Sequence, residues 1–182
     1  MAALQAVFVD RDGTIGGNGH FIHPRDFRPF PSSLRAIEMA KQAGLFVFAF
    51  TNQHRIARGQ ATINEFEEEF RRFGLDDSYI CPHEPQDGCL CHKPSPGLLL
   101  QAARNFSLDL TKCVVVGDVG STDMLAAHAV GAMSVLVRTG WGEQSLGAFR
   151  PTWATVEPDY VANDLFDAME WITTSRKPEG TT

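Results

Sequence analysis

The sequence lacks several features that would assign it to other classes of protein. None of its apolar runs approaches the roughly 20 residues that a membrane-spanning helix requires. Basic residues are not in excess, since 16 Lys and Arg stand against 22 Asp and Glu, for a formal net charge of -6. This balance argues against a general nucleic-acid or anionic-membrane surface, and we expect neither kind of partner.

Cysteine is scarce as well, with four among 182 residues. The segment from Met1 to Ala6 carries no basic residue ahead of the first apolar run, so we do not expect it to be a signal peptide. We therefore expect a cytoplasmic protein whose cysteines are free thiols or metal ligands rather than disulfides.

Short apolar runs alternate with helical patterns along the whole chain. The predicted strands cover residues 7–9, 45–50, 78–81, 112–117, 134–137 and 159–161. Because most of them are unbroken apolar runs, we predict an α/β fold with a Rossmann-like parallel sheet covered by helices on both faces. The length suits one domain, which we place at residues 1–172, with 173–182 as a polar, disordered tail.

The first predicted strand ends in two carboxylates, Asp10 and Asp12, within the segment VFVDRDGT of residues 7–14. Carboxylates this close repel each other unless a cation lies between them or one keeps a proton. Both arrangements suit phosphoryl transfer, in which one Asp attacks phosphorus, a divalent ion screens the charge and the other Asp moves protons. Taken alone, the segment is better explained as a solvated loop that happens to hold two aspartates, and it is residues further along the chain that overturn this interpretation.

Two more predicted strands end in polar residues. Thr51 and Asn52 follow the second strand, and Asp118 follows the fourth. Because the carboxyl ends of parallel strands meet at one edge of the sheet, we expect these side chains to join Asp10 and Asp12. The chain would then gather carboxylates, a hydroxyl and an amide at one site.

Lys93 stands just before a helix that we predict to start at Ser95-Pro96. The N-terminal end of a helix favours an anion, and Lys93 adds a fixed positive charge there. With the acidic strand ends it supplies the groups that phosphoryl transfer needs. The alternative interpretation is a surface lysine.

A loop rich in Cys, His and Pro follows the third predicted strand. Cys81, His83, Cys89 and Cys91 supply three thiolates and an imidazole, which is the ligand set of a structural zinc site. The loop has little apolar content, so a metal would hold its shape. His92 is a rival to His83, although adjacent ligands at 91 and 92 would strain a tetrahedron. Unligated thiols are the alternative.

Four segments resemble, in order, the motifs of the haloacid dehalogenase (HAD) superfamily. They are DRDGT at 10–14, TNQ at 51–53, KP at 93–94 and GD at 117–118 with Asp123. Residues 51–59 and 81–91 are similar to one branch of that superfamily. This branch holds the D-glycero-D-manno-heptose 1,7-bisphosphate phosphatases and the phosphatase part of bifunctional histidine-biosynthesis enzymes.

The resemblance implies a magnesium site and an aspartyl-phosphate intermediate. Asp10 would be the nucleophile and a magnesium ligand. Asp12 would be the acid and base, with its backbone carbonyl on the metal. Asp118 would be the third protein anchor of magnesium, and Asp123 would support the ligands or reach the metal through water. Magnesium keeps several waters, so few carboxylates suffice.

The resemblance also implies which residues surround the substrate. Thr51 and Lys93 would hold the transferring phosphoryl group, and Asn52 would orient the substrate or Asp10. The residues that we expect around the substrate are Thr51, Asn52, Gln53, His54, Arg55, His92 and Lys93.

The chain departs from the branch on the side of the leaving group. His92 stands where the branch has an arginine before the motif lysine, and His54-Arg55 replace Ser-Gly. These changes leave the expected reaction type intact but put the substrate in doubt. Arg55, Arg58 or His54 could replace the lost contact, or all three could face solvent.

We therefore predict a monomeric, magnesium-dependent phosphomonoester hydrolase with a zinc-stabilised loop and no large cap domain. Its substrate would be a small phosphorylated metabolite, best matched by a sugar bisphosphate of the heptose type. Histidinol phosphate is the alternative substrate. A non-catalytic phosphate-binding regulatory protein is the alternative of another class, but a pure binding site gains nothing from the repelling pair of Asp10 and Asp12.

Overall fold

The computed structural model describes residues 3–174 and contains one six-stranded sheet with every strand parallel to its neighbours. The strand order is β3-β2-β1-β4-β5-β6. The strands are β1 (Ala6–Val9), β2 (Phe46–Asn52), β3 (Asp77–Cys81), β4 (Cys113–Gly117), β5 (Met133–Val137) and β6 (Tyr160–Ala162).

Helices follow the strands along the chain. They are α1 (Ser33–Gln42), α2 (Ile63–Arg72), α3 (Gly97–Phe106), α4 (Leu125–Ala129), α5 (Gly142–Leu146) and α6 (Leu165–Thr174). A capping box formed by Thr62 and Glu65 begins α2. The order of these elements confirms the predicted Rossmann-like fold.

The helices cover both faces of the sheet because alternate strand residues point to opposite sides. Val7 and Val9 of β1 pack in a buried cluster with α1, α2 and α6. Phe8 between them belongs to the cluster formed with α3 and α4. β1 is wholly buried at the centre of the sheet, so the segment that follows it begins in the middle of the molecule.

The structure has two features in its C-terminal half that apolar periodicity does not indicate. A π-helical turn, Gly120–Met124, leads into α4. α5 was not predicted, because five residues carry too little apolar periodicity to indicate a helix. Its Ser145 carbonyl accepts a hydrogen bond from the buried Trp153 indole at 3.0 Å.

The connections after the first three strands run over residues 10–32, 53–62 and 82–96, and none of them holds an inserted domain. This agrees with the expected absence of a large cap. The predicted domain boundary at residue 172 stays a prediction, since α6 continues to Thr174 and residues 175–182 of the expected tail lie outside the described residues. Within residues 3–174, no helix is long and apolar enough to cross a membrane.

A fully buried ion pair joins α2 to the loop after β1. Arg11 donates hydrogen bonds from Nε and Nη2 to the two carboxylate oxygens of Glu69, at 2.6 and 2.9 Å. Its guanidinium lies over the rings of Phe27 and Phe66, at 3.8 and 4.9 Å from the ring centres. Neither charged side chain is exposed. Such a pair is costly to break, because the remaining charge stays buried without its partner.

We expect Glu69→Ala to lower the free energy of unfolding by about 3 kcal/mol, since it removes the acceptor of two buried Arg11 N–H groups and leaves the guanidinium with Asp12 as its remaining carboxylate partner. Urea denaturation followed by circular dichroism measures the change. Glu68→Ala is the matched control, because Glu68 is an exposed neighbour on the same helix and should stay within about 0.5 kcal/mol of the parent. Equal stability of both variants would contradict this account of the pair.

Candidate functional site

A cleft of ≈ 180 Å³ opens at the carboxyl end of the sheet. The end of β2 and the residues that follow β1 and β2 line it together with Lys93 and the segment after β4. The lining residues are Asp10, Asp12, Gly19, Phe21, Thr51, Asn52, Gln53, His54, Arg55, Lys93, Val119 and Thr122. The strand ends that the sequence indicates therefore do meet at one edge.

Lys93 lies at the floor of this cleft and is 3% exposed. Its Nζ donates hydrogen bonds to Asp10 Oδ1 at 2.8 Å, to Asp123 Oδ1 at 2.7 Å and to the Phe50 carbonyl at 2.9 Å. Burial alone lowers the pKa of Lys93, but the two carboxylates outweigh it and raise that pKa above its ordinary value. The ammonium group is thus a fixed charge with all three of its hydrogens directed at acceptors.

Three buried carboxylates surround this ammonium group. Asp10, Asp118 and Asp123 each place one oxygen within 4.8 Å of the others. Burial raises the pKa of Asp118 well above its usual range, and the charges of Asp10 and Asp123 add to the shift. Oxygen ligands gathered in this way suit a hard divalent cation.

The loop after β5 supports Asp118. The Trp141 backbone N–H donates to Asp118 Oδ2 at 2.7 Å, and Thr139 Oγ1 donates to the Gly13 carbonyl at 2.6 Å. Gly13 and Gly140 both have positive φ, and a Cβ on either would lie 2.1 Å from Asp118 Oδ2. Only glycine fits these two positions, because any side chain would collide with the carboxylate.

Asp123 lies in the π-helical turn before α4. Its Oδ2 accepts the Val119 N–H at 3.1 Å, and its Oδ1 accepts Lys93 Nζ. Burial raises the pKa of Asp123 to about 6, although the charge of Lys93 opposes the shift. Both oxygens therefore have protein partners.

Asp12 is held apart from the three buried carboxylates. Its Oδ1 accepts Arg11 Nη1 at 2.6 Å, and its Oδ2 accepts Gln53 Nε2 at 2.6 Å. Burial raises the pKa of Asp12 to about 6, against the lowering effect of Arg11. The carboxyl group faces the cleft with a fixed orientation and a pKa close to neutrality.

The two residues at the end of β2 have distinct surroundings. Thr51 is 1% exposed, and its Oγ1 accepts Gln53 Nε2 at 2.9 Å. The Asn52 side chain accepts the Lys93 N–H at 3.0 Å and donates to the Lys93 carbonyl at 3.3 Å. Asn52 thereby fixes the backbone from which the Lys93 side chain extends.

The Cys/His loop, residues 82–96 together with Cys81 of β3, brings its four predicted ligands together. The three sulfur–sulfur distances among Cys81, Cys89 and Cys91 are 3.3–3.7 Å. His83 Nδ1 lies 3.7 Å from the Cys81 sulfur and 3.2 Å from the Cys91 sulfur. Zn–S bonds of about 2.3 Å give a tetrahedron with edges of about 3.8 Å, so these residues fit a zinc ion.

Among the expected substrate residues, His92 is not placed in the cleft. Its Nδ1 lies 3.7 Å from the Cys81 sulfur, so its ring contacts the Cys/His loop instead. Arg58 is bound by Glu84 of that loop in an ion pair and does not line the cleft either. His54 and Arg55 do line it.

Besides the lining residues Gly19, Phe21, Val119 and Thr122, two residues that support the site were not identified from the sequence. Glu69 binds Arg11, which in turn binds the Asp12 carboxylate in the cleft. The sequence feature that could have identified Glu69 is a carboxylate on the buried face of α2, beside Phe66 and Phe70. The Trp141 backbone N–H donates to Asp118. Any residue type could make this contact, so the sequence does not indicate it.

The comparisons with known proteins agree with this geometry. The family described as HAD-hydrolase-like matches residues 90–168. The D-glycero-beta-D-manno-heptose-1,7-bisphosphate 7-phosphatase of Pseudomonas aeruginosa is 37% identical over 167 residues, 86% of this chain and 93% of that protein. The enzyme of the same name from Escherichia coli K12 is 34% identical over 97% of each chain.

A solved structure is similar over nearly the same span. It is the D,D-heptose 1,7-bisphosphate phosphatase from B. bronchiseptica, complexed with magnesium and phosphate. The TM-score is 0.80 at 30% sequence identity, covering 94% of this chain and 99% of that one. Through these relatives and its fold, the chain belongs to the D-glycero-D-manno-heptose-1,7-bisphosphate 7-phosphatase family of the HAD superfamily.

Proposed function

We propose that this protein hydrolyses a phosphate monoester of a sugar bisphosphate with magnesium, through an aspartyl-phosphate. One observation carries the proposal: the buried ammonium group of Lys93 binds Asp10 and Asp123 beside Asp118, at the floor of an open cleft. The ammonium group offsets the charge of the Asp10 carboxylate, and the neighbouring carboxylates can bind a cation. Both effects let a carboxylate approach and attack a negatively charged phosphoryl group. The names of the relatives support the substrate class.

In the first step, a carboxylate oxygen of Asp10 attacks phosphorus and the bond to the leaving oxygen breaks. Asp12 gives its proton to that oxygen, so the sugar leaves as an alcohol. In the second step, water attacks the phosphorus of the aspartyl-phosphate and Asp12 accepts its proton. Inorganic phosphate leaves and the Asp10 carboxylate is restored.

The other residues position these two. Lys93 and Thr51 would hold oxygens of the phosphoryl group, for which the Lys93 ammonium group exchanges one of its three present acceptors, and Asn52 fixes the Lys93 backbone. Gln53 joins Thr51 to Asp12 through its amide nitrogen, which supports a role in orienting the acid rather than in binding the sugar.

Magnesium would be held by the carboxylates of Asp10 and Asp118 and by the backbone carbonyl of Asp12. Burial and the neighbouring carboxylates raise the pKa of Asp118 and so favour its protonated form. The charge of the bound metal would favour the ionised form instead. Asp123 would act through Lys93, because both of its oxygens already have partners. When bound, the metal offsets the negative charge of the phosphoryl group.

We expect Asp10→Asn to lower kcat for sugar bisphosphate hydrolysis by about 10³-fold or more, because the amide cannot form the phosphoenzyme. Phosphate release with and without magnesium measures the effect. Asp26→Asn is the matched control, since Asp26 is exposed and outside the cleft. Undiminished turnover by Asp10→Asn would refute the assigned nucleophile.

Asp12→Asn should separate the two steps. With p-nitrophenyl phosphate, whose leaving group needs no proton, we expect an initial release of about one nitrophenolate per active site followed by slow turnover. The steady-state rate should fall about 10²–10⁴-fold, because no base activates water. Stopped-flow absorbance checks this. Loss of the initial release, with the protein still folded, would place Asp12 in the attack step instead.

We further propose that Cys81, His83, Cys89 and Cys91 bind one structural zinc ion. Purified protein should contain about one zinc per chain by plasma mass spectrometry, and Cys89→Ser should contain none. Cys113→Ala is the control, because Cys113 lies in β4 outside this set and should keep the metal. Full zinc content in Cys89→Ser would exclude this ligand set.

A further inference from the structure

Arg11 connects the Asp12 carboxylate to a second carboxylate that lies outside the cleft. The edge of the guanidinium formed by Nε and Nη2 binds both oxygens of Glu69, and Nη1 donates to Asp12 Oδ1 at 2.6 Å. Nη2 also donates to the Ile22 carbonyl at 2.9 Å. Glu69 is fully buried and lies outside the residues that line the cleft, whereas Asp12 is one of them. A continuous chain of hydrogen bonds therefore runs from α2 to the cleft.

The position of the Arg11 guanidinium depends on Glu69. Two parallel hydrogen bonds to one carboxylate fix both the position and the plane of a guanidinium. Glu69 makes this two-point contact from α2, and the rings of Phe27 and Phe66 pack against the guanidinium at 3.8 and 4.9 Å from their centres. Without Glu69, the same paired edge would be free to turn toward Asp12.

Glu69 thereby limits how Arg11 binds Asp12. Because Glu69 occupies the paired edge, Asp12 receives a single N–H on Oδ1, and its Oδ2 accepts Gln53 Nε2 at 2.6 Å. A guanidinium without a competing carboxylate would bind both oxygens of Asp12 as a fork. Such a fork would turn both oxygens toward the buried guanidinium, whereas proton transfer requires the carboxyl group within hydrogen-bond reach of the leaving oxygen.

We propose that Glu69 is a positioning residue for Asp12: it holds the Arg11 guanidinium so that the Asp12 carboxyl group stays directed at the leaving oxygen. This inference rests on the proposed function, in which Asp12 protonates that oxygen. If Glu69 served stability alone, its loss would affect every ester alike. Because it acts through Asp12, it should matter most for leaving groups that need a proton.

The first test compares phenyl phosphate with p-nitrophenyl phosphate. The two esters are similar in shape, but phenolate is the more basic leaving group and depends more on a proton from Asp12. Glu69→Gln keeps the size of the side chain and removes its charge. We expect it to lower kcat/KM for phenyl phosphate about 10–100-fold, the cost of a misplaced acid group, and to leave that for p-nitrophenyl phosphate within about threefold. The later hydrolysis of the aspartyl-phosphate does not enter kcat/KM.

Ile37→Val is the control for a loss of stability. Ile37 is buried on α1 in the same core cluster as Phe66, and the smaller side chain loosens this core without changing a charge. It should change kcat/KM for the two esters by the same factor. Glu69→Asp keeps the charge but withdraws it by one methylene, so we expect a smaller loss that again falls mainly on phenyl phosphate. This variant decides the outcome if Glu69→Gln does not fold.

A double-mutant cycle on heptose 1,7-bisphosphate tests whether Glu69 acts through Asp12. Glu69→Gln alone should lower kcat/KM for this ester about 10–100-fold. In the Asp12→Asn background, the group that Glu69 positions can no longer give a proton, so Glu69→Gln should lower kcat/KM by no more than about a further twofold. Losses that multiply would instead mean that Glu69 acts independently of Asp12.

Failure of this inference is distinguishable from failure of the proposed function. Equal losses on both aryl esters in folded Glu69→Gln, or no loss on either, would overturn the role of Glu69 and leave the phosphatase function standing. If the parent protein releases no phosphate from these esters or from heptose 1,7-bisphosphate with magnesium, the proposed function itself is wrong.

Discussion

The neutralisation of one buried ammonium group organises this molecule. Lys93 comes from the start of the α3 region, Asp10 from the end of β1, and Asp123 from the turn before α4. None of these charges could stay buried alone, because an unpaired ion in the interior is expensive. Their mutual contacts therefore fix three distant segments of the chain against one another at the edge of the sheet.

The sheet topology makes this meeting possible. β1 lies between β2 and β4, so the segments that follow these three strands are neighbours in space although they are far apart in sequence. Side chains at the ends of adjacent parallel strands face a common crevice. The segment after β5 contributes the Trp141 backbone N–H, which donates to the Asp118 carboxylate and fixes its position.

Much of this arrangement could be predicted from the residues, for identifiable reasons. Unbroken apolar runs indicated the strands, and polar residues at their ends indicated the site. Glu69 was missed because a carboxylate on a helix is usually exposed to solvent. It is buried here because Arg11 lies beside it and pairs with it. His92 was assigned to the cleft from its place beside Lys93, yet the chain turns here and the two neighbouring side chains have different contacts. Arg11 and Glu69 are 58 residues apart in sequence, and the local pattern of apolar residues cannot indicate such a contact.

The connections after β1 and β2 bear on how such a protein diversifies. The groups proposed to transfer the phosphoryl unit lie on strand ends that are tied into the core, where few replacements are tolerated. Phe21 and Arg55 lie on the loops after β1 and β2, and within residues 3–174 no inserted domain covers these loops. During evolution, exchanging one or two loop residues could redirect the enzyme to a different metabolite while the reaction chemistry was inherited unchanged.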